Sequence, residues 1–271
     1  MGAFALLHRG IDGMRGLPVV RRLRRAAFDR QFANDRRAHL FRGAFDSVDA
    51  ASASAPTTAP IGYDNPGSAQ MYLQRLQIDE YDYPAMFWLS SALAEGMRSI
   101  ADFGGSVGIK YFAFGKFMWF PPDLVWRVID VPAVVALGRE FAASKGARAA
   151  LTFSEHLADA DGMDVIYASG SLQYMPQSLP EMLSGLSRKP RRIVVNTTPI
   201  HPDRSFFTLN SIGTAYCPYR VVARDTFVQG VKAHGYQLRD EWQNFGKQLS
   251  LPFETGCSIE HYSGFCFDAK L

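Results

Sequence analysis

From residue 99 onward, short apolar runs alternate with longer stretches of helical periodicity, and this alternation constrains the fold more than any other feature of the chain. Residues 99–103, 124–129, 149–153, 164–168 and 191–195 read as strands, the last around Ile193-Val194-Val195. Residues 109–119, 132–144 and 179–187 read as the helices between them. Strands that alternate with helices pair in parallel, because each crossover returns the chain to the same end of the sheet, and the helices then cover both faces. The end of the chain breaks the pattern. A helix at 225–234 is followed by strand-like runs at 236–242 and 258–268 with no helix between them, which reads as an antiparallel hairpin at one sheet edge. The expected architecture is an α/β/α three-layer sandwich.

A chain of 271 residues, 47% of them hydrophobic, can bury such a sheet without staples. Its 20 Phe and 11 Tyr exclude intrinsic disorder for most of its length. Three cysteines, an odd number, argue against a disulfide framework and fit a reducing compartment. No apolar run is long enough to span a bilayer, so the expected setting is the cytoplasm. Charge is uneven: the first 45 residues hold ten arginines and carry +7, leaving −4 for the rest. The run Arg21-Arg22-Leu23-Arg24-Arg25-Ala26-Ala27-Phe28 reads either as a basic helix in peripheral contact with anionic lipid or as a solvated leader. No basic stripe continues beyond it, so nucleic acid is not an expected partner. Residues 47–60 (SVDAASASAPTTAP) read as a linker. The expected division is a poorly packed leader and linker at 1–60, a helical cover at 61–98 and an α/β core at 99–271.

The first strand of the core runs into Asp102-Phe103-Gly104-Gly105-Ser106-Val107-Gly108 and then directly into a helix. A glycine-rich strand-to-helix turn lets a ligand approach the backbone and offers it free N–H groups. A dinucleotide fingerprint fails on spacing, since Ser106 stands at the second glycine position and Ile109 at the third. Gly104-x-Ser106-x-Gly108 also matches the nucleophile elbow of a serine hydrolase with Ser106 as nucleophile, although the strands and oxyanion loop that should precede it are missing.

Asp102-x-Gly104-x-x-x-Gly108 resembles motif I of the class I S-adenosylmethionine-dependent methyltransferases, and the resemblance continues in order along the chain. Asp130-Val131-Pro132 looks like the second motif, whose acidic residue holds the cofactor ribose. Thr152-Phe153-Ser154-Glu155 falls where residues beside the adenine are expected, and the segment from Asp164 through Ser169 to Tyr174 resembles the fourth motif. The resemblance implies a Rossmann-like, mostly parallel seven-stranded sheet of order 3-2-1-4-5-7-6 with one antiparallel strand, and S-adenosylmethionine as cofactor. It implies a cofactor site built from Asp102, Gly104, Gly105, Ser106, Gly108, Asp130, Val131, Ser154, Glu155 and Ser169. A narrower resemblance, carried by Gly43-Ala44-Phe45-Asp46-Ser47, Gly62-Tyr63-Asp64-Asn65-Pro66, Asp102-Phe103-Gly104-Gly105 and Cys217-Pro218-Tyr219-Arg220, is to a bacterial methyltransferase family often encoded near surface-polysaccharide genes.

Methyl transfer asks the protein to orient an acceptor and exclude water, with a base only where the acceptor must lose a proton. His201, just after the fifth core strand, is the candidate base, or else an exposed loop histidine. Tyr174, Tyr219 and Arg220 are candidates for the acceptor pocket, Arg220 by pairing with a carboxylate or phosphate. Cys257-x3-His261-x4-Cys266 lacks the fourth ligand and paired spacing of structural zinc, so no metal is expected. The expected activity is O-methylation of a small molecule or glycan precursor. The rivals are a serine hydrolase using Ser106 and a non-catalytic scaffold of the same fold.

Overall fold

The computed structural model describes residues 18–34, 40–71, 76–147 and 149–270. Of the ten arginines in the first 45 residues, Arg9, Arg15, Arg36 and Arg37 lie outside them. The first strand, β1 (Leu40–Phe45), belongs to a small second sheet. The core then supplies β2 (Ser99–Phe103), β3 (Val125–Ile129), β4 (Leu151–Ser154), β5 (Val165–Ser169) and β6 (Arg192–Thr198). The short β7 (Ile200–His201) leads to β8 (Phe206–Ser211) and β9 (Tyr216–Ala223), and the chain closes with β10 (Tyr236–Asn244) and β11 (Tyr262–Ala269).

The central sheet has the order β10-β11-β6-β5-β2-β3-β4. Its five middle and far strands are parallel, while β11 runs antiparallel to both β6 and β10. Counted in chain order within this sheet, the strands lie 3-2-1-4-5-7-6. Alternation along each strand sorts side chains into two cores, because successive residues point to opposite faces. Ala101, Ile166, Ile193, Val195, Phe265 and Phe267 pack with Met182, Leu183, Phe227 and Val231 of helices Leu179–Ser184 and Arg224–Lys232. Ile100, Trp126, Val128, Val165, Tyr167 and Val194 pack on the other side against helices Tyr83–Ala94 and Ile109–Phe114. The fold is thus a mixed α/β sandwich with helices on both faces. No described helix is long and apolar enough to cross a membrane.

Within the segment expected to be a poorly packed leader and linker, residues 18–34 and 40–60 are folded. Helix Pro18–Asn34 buries Phe32 completely, β1 pairs with β8, and helix Val48–Ala53 packs on β8 and β9. The supposed linker folds because Ser47 caps that helix, its hydroxyl accepting the Ala50 N–H at 3.0 Å, and because alanines are small enough to lie flat on the sheet. The second sheet, order β1-β8-β9-β7, meets the short turn Leu172–Tyr174 that follows β5 through β9, and it carries residues to which the sequence pattern gives no element.

Candidate functional site

Parallel strands place all their carboxyl ends on one edge, and open α/β sheets bind ligands there. β2 ends at Phe103 and the chain turns tightly: Gly104 N–H donates to the Ile129 carbonyl at 2.8 Å. Gly104, Ser106 and Gly108 take positive φ values of 66°, 55° and 85°. A Cβ on Gly104 would lie 2.3 Å from the Ser171 Cβ, and one on Gly105 would lie 2.3 Å from Oδ2 of Asp102. These two glycines let the backbone close over Asp102 and against the end of β5.

Asp102, 2% exposed, accepts a hydrogen bond from the Trp126 indole at 3.0 Å. Burial pushes its carboxyl up to about 7, more than the indole bond lowers it, and the nearby Asp130 charge raises it further. Asp130 follows β3. Its Oδ2 accepts the Ser106 N–H at 2.9 Å and its Oδ1 accepts the Val131 N–H at 2.8 Å. Burial lifts Asp130 to about 6 against those two bonds. Asp130 therefore braces the glycine turn, while the N–H of Ala133 in helix Pro132–Ser144 is capped from a distance by Asp64, at 3.1 Å.

The turn opens into a cavity of about 840 Å³. Asp102, Gly104, Gly105, Ser106, Asp130, Val131, Glu155, Ser169, Tyr174 and Tyr219 all line it. Four expected residues do not. Gly108 shapes the turn into helix Ile109–Phe114 from behind. The Ser154 hydroxyl donates to the Asp159 carboxylate and accepts from His156 N–H, so it ties down the loop after β4. His201 is buried away from the cavity, and both ring nitrogens are engaged. Nδ1 accepts the N–H groups of Asp203 and Arg204 at 3.1 Å each, which leaves Nε2 to donate to the Gly256 carbonyl at 2.9 Å. It pins two loops together and has no lone pair to offer as a base. Arg220 is half-buried, lies over the Phe207 ring and donates to the Pro176 carbonyl at 2.7 Å, so it braces the segment behind the wall.

Ser106 does not form a nucleophile–base pair. Its backbone is committed to Asp130, and no histidine among the described residues lines the cavity. The lining also includes residues that sequence reasoning missed: Phe28, Leu40 and Phe41 near the start of the chain, Gln173 in the 3-10 turn Leu172–Tyr174 after β5, Thr197 near the end of β6, and Lys247 and Pro252 between β10 and β11. Phe28 had a signal, as an aromatic residue closing an arginine run. Thr197 had none.

No family model matches the chain, and no curated protein matches it. Among solved structures it is similar to the mitomycin 7-O-methyltransferase MmcR, at 13% identity and a TM-score of 0.46 over 76% of this chain. That alignment spans 59% of the mitomycin enzyme, less than two thirds of its length. It is also similar to the 1,6-didemethyltoxoflavin-N1-methyltransferase of Burkholderia thailandensis, which holds 1,6-didemethyltoxoflavin and S-adenosylhomocysteine: 15% identity, TM-score 0.45, 70% of this chain and 80% of that one. A third is the magnesium protoporphyrin IX methyltransferase of Synechocystis with bound SAH, at 13% identity, TM-score 0.45, and 73% and 83% coverage.

Proposed function

We propose that this chain is an S-adenosylmethionine-dependent methyltransferase acting on a small-molecule hydroxyl. The observation that carries the reading is the pair Asp102 and Asp130, a buried and a half-buried carboxylate at the ends of adjacent parallel strands, joined through one glycine turn and facing one cavity. Neither forms an ion pair with a described residue. Lys110, whose ammonium is 2.6 Å from Asp82, offsets least of the burial cost at Asp102. A ligand with an ammonium group and a vicinal diol fits this donor-poor pair, and S-adenosylmethionine carries both. Asp130 would hold the ribose hydroxyls, Asp102 and the backbone of 104–106 the amino-acid end, and Val131 and Glu155 the side toward the adenine.

When bound, the cofactor would supply an electrophilic methyl group whose C–S electron pair stays on sulfur, the acceptor hydroxyl giving up its proton to solvent. The chain's own part is to align that oxygen and keep water out, which the aromatic walls beyond Ser169 suit. The glycan-precursor acceptor, the polysaccharide setting and a cytoplasmic location rest on the sequence. Peripheral lipid contact would fall to the exposed arginines of helix Pro18–Asn34.

Calorimetric titration of S-adenosylhomocysteine into the full chain tests the reading. Saturable one-to-one binding is expected, weakened roughly ten- to a hundred-fold by Asp130→Ala, as loss of hydrogen bonds to an ionised group predicts. A melting curve beside it shows that the variant is folded. A wild-type chain with no measurable affinity would remove the proposal.

A further inference from the structure

Helix Pro18–Asn34 has two faces, and the folded body accounts for only one of them. Successive residues of an α-helix advance by roughly 100° about its axis, so Arg21, Arg25, Phe28 and Phe32 share a face. That face meets the molecule. Phe32 is fully buried, Phe28 lines the cavity, Arg21 donates to the Phe253 carbonyl and Arg25 pairs with Glu254. The one acid of the helix, Asp29, lies 3.9 Å from the Arg42 guanidinium of β1.

The opposite face is open to solvent. Val19, Leu23 and Ala27 recur along it every four residues, with Val19 67% and Leu23 65% exposed. Arg30 continues the line, and Arg22 and Arg24 flank it on either side. All three arginines are exposed, and none forms an ion pair with a described residue. Water solvates the arginines of such a face and not its apolar middle. A lipid interface suits both, since apolar side chains enter the acyl boundary while guanidinium groups stay with the phosphates. Charge then selects the occupant. Residues 1–45 carry +7 and the remainder −4, so an anionic surface attracts this end of the molecule and repels the rest, which fixes one orientation. A second copy of the helix would set arginine against arginine, and a nucleic acid would leave Val19 and Leu23 without a use.

We propose that the outer face of helix Pro18–Asn34 docks the protein on an anionic lipid bilayer, with Val19, Leu23 and Ala27 immersed and Arg22, Arg24 and Arg30 on the headgroup phosphates. Phe28 on the inner face lines the cavity, and Arg21 and Arg25 hold the loop around 253–254, so docking sets the capped end of the cavity beside the bilayer. Only the meaning of that last placement rests on the methyltransferase reading; the docking does not.

Co-sedimentation of the full chain with lipid vesicles, in the absence of S-adenosylhomocysteine, therefore tests the docking apart from that reading. At low salt, vesicles of phosphatidylcholine with about one-third phosphatidylglycerol should bind at least about ten-fold tighter than phosphatidylcholine alone. An arginine near such a surface is worth roughly five-fold in affinity, so replacing Arg22, Arg24 and Arg30 together by Gln should weaken binding on the order of a hundred-fold. Immersion is read separately. Cys217, Cys257 and Cys266 are buried, so a thiol-reactive, environment-sensitive dye on Leu23→Cys reports that position alone. Its emission should shift to the blue on anionic vesicles and stay unchanged with an oligonucleotide duplex. The substituted positions are exposed, so the variants should melt with the wild type. The proposal is overturned by a wild type that ignores anionic vesicles, by a triple variant that binds them as well as the wild type, by an unshifted dye, or by variants that melt lower as packed positions would. Tighter binding to the duplex than to the vesicles would overturn it as well and assign the face to nucleic acid.

Discussion

Asp102 is ionised at neutral pH only against the cost of its burial, and that cost makes it a reporter. Its carboxyl, ordinarily near 3.8, is raised to about 7 in the fold, mainly by desolvation. Between those values the folded state binds more protons than the unfolded chain, so stability falls as pH rises, by up to about 1.4 kcal/mol per pH unit for one group. The contribution is complete below pH 4 and lost as pH passes 7. Melting temperatures of the ligand-free protein should therefore decline from pH 5 to pH 7, and Asp102→Asn should flatten that decline; an unchanged slope in the variant would show that Asp102 is not the group responsible. Asp102 and Asp130 were legible in the sequence through the resemblance of the segments that hold them to two successive methyltransferase motifs, and strand geometry then forces both to the same sheet edge. His201 and Arg220 were not. His201 follows β6 as the sequence implies and Arg220 lies within β9, but their direction is set by the Gly256 and Pro176 carbonyls, which lie 55 and 44 residues away.

The second sheet shows why whole elements escape notice. In β8, Thr208 and Asn210 are fully buried, so its pattern does not read as a strand facing a core. Their partners belong to β1: Thr208 Oγ1 donates to the Arg42 carbonyl and Asn210 Nδ2 to the Leu40 carbonyl, both at 3.2 Å. Those pairs join residues 166 and 170 apart, which no local pattern can encode. The central sheet was legible because apolar alternation and helix spacing are local. Helix Pro18–Asn34 is attached to this second sheet through Phe32, stacked on Tyr216 at 5.3 Å between ring centroids and packed on Leu209. Removing a fully buried aromatic side chain leaves a cavity as well as lost contacts. Phe32→Ala should cost about 3 kcal/mol in urea unfolding if the helix folds cooperatively with the core, and well under 1 kcal/mol if it is only an exposed leader.

At the scale of the whole molecule, the cavity is enclosed by pieces from both ends of the chain. The central sheet supplies its floor, with Asp102 and Asp130. The second sheet supplies Tyr219, the loop between β10 and β11 supplies Lys247 and Pro252, and helix Pro18–Asn34 reaches it with Phe28. The helix and the loop are also joined directly. Arg21 donates to the Phe253 carbonyl at 3.0 Å, Arg25 pairs with Glu254 at 2.7 Å, and the Phe28 and Phe253 rings lie 5.9 Å apart. Each link is exposed and weak alone. Filling the cavity from the acceptor side adds contacts to Phe28 and Pro252 together, so the cap should tighten as one unit rather than residue by residue. Hydrogen exchange read by mass spectrometry distinguishes the two halves of the site. S-adenosylhomocysteine alone should slow exchange at 102–108 and 129–132, and adding 2-naphthol, used as an uncharged aromatic probe of the Tyr174 and Tyr219 end of the cavity, should extend protection to 20–34 and 246–254. Protection of the loop without the helix would mean that the helix is a passive neighbour, and the expectation that both ends of the chain close over the acceptor would have to be given up.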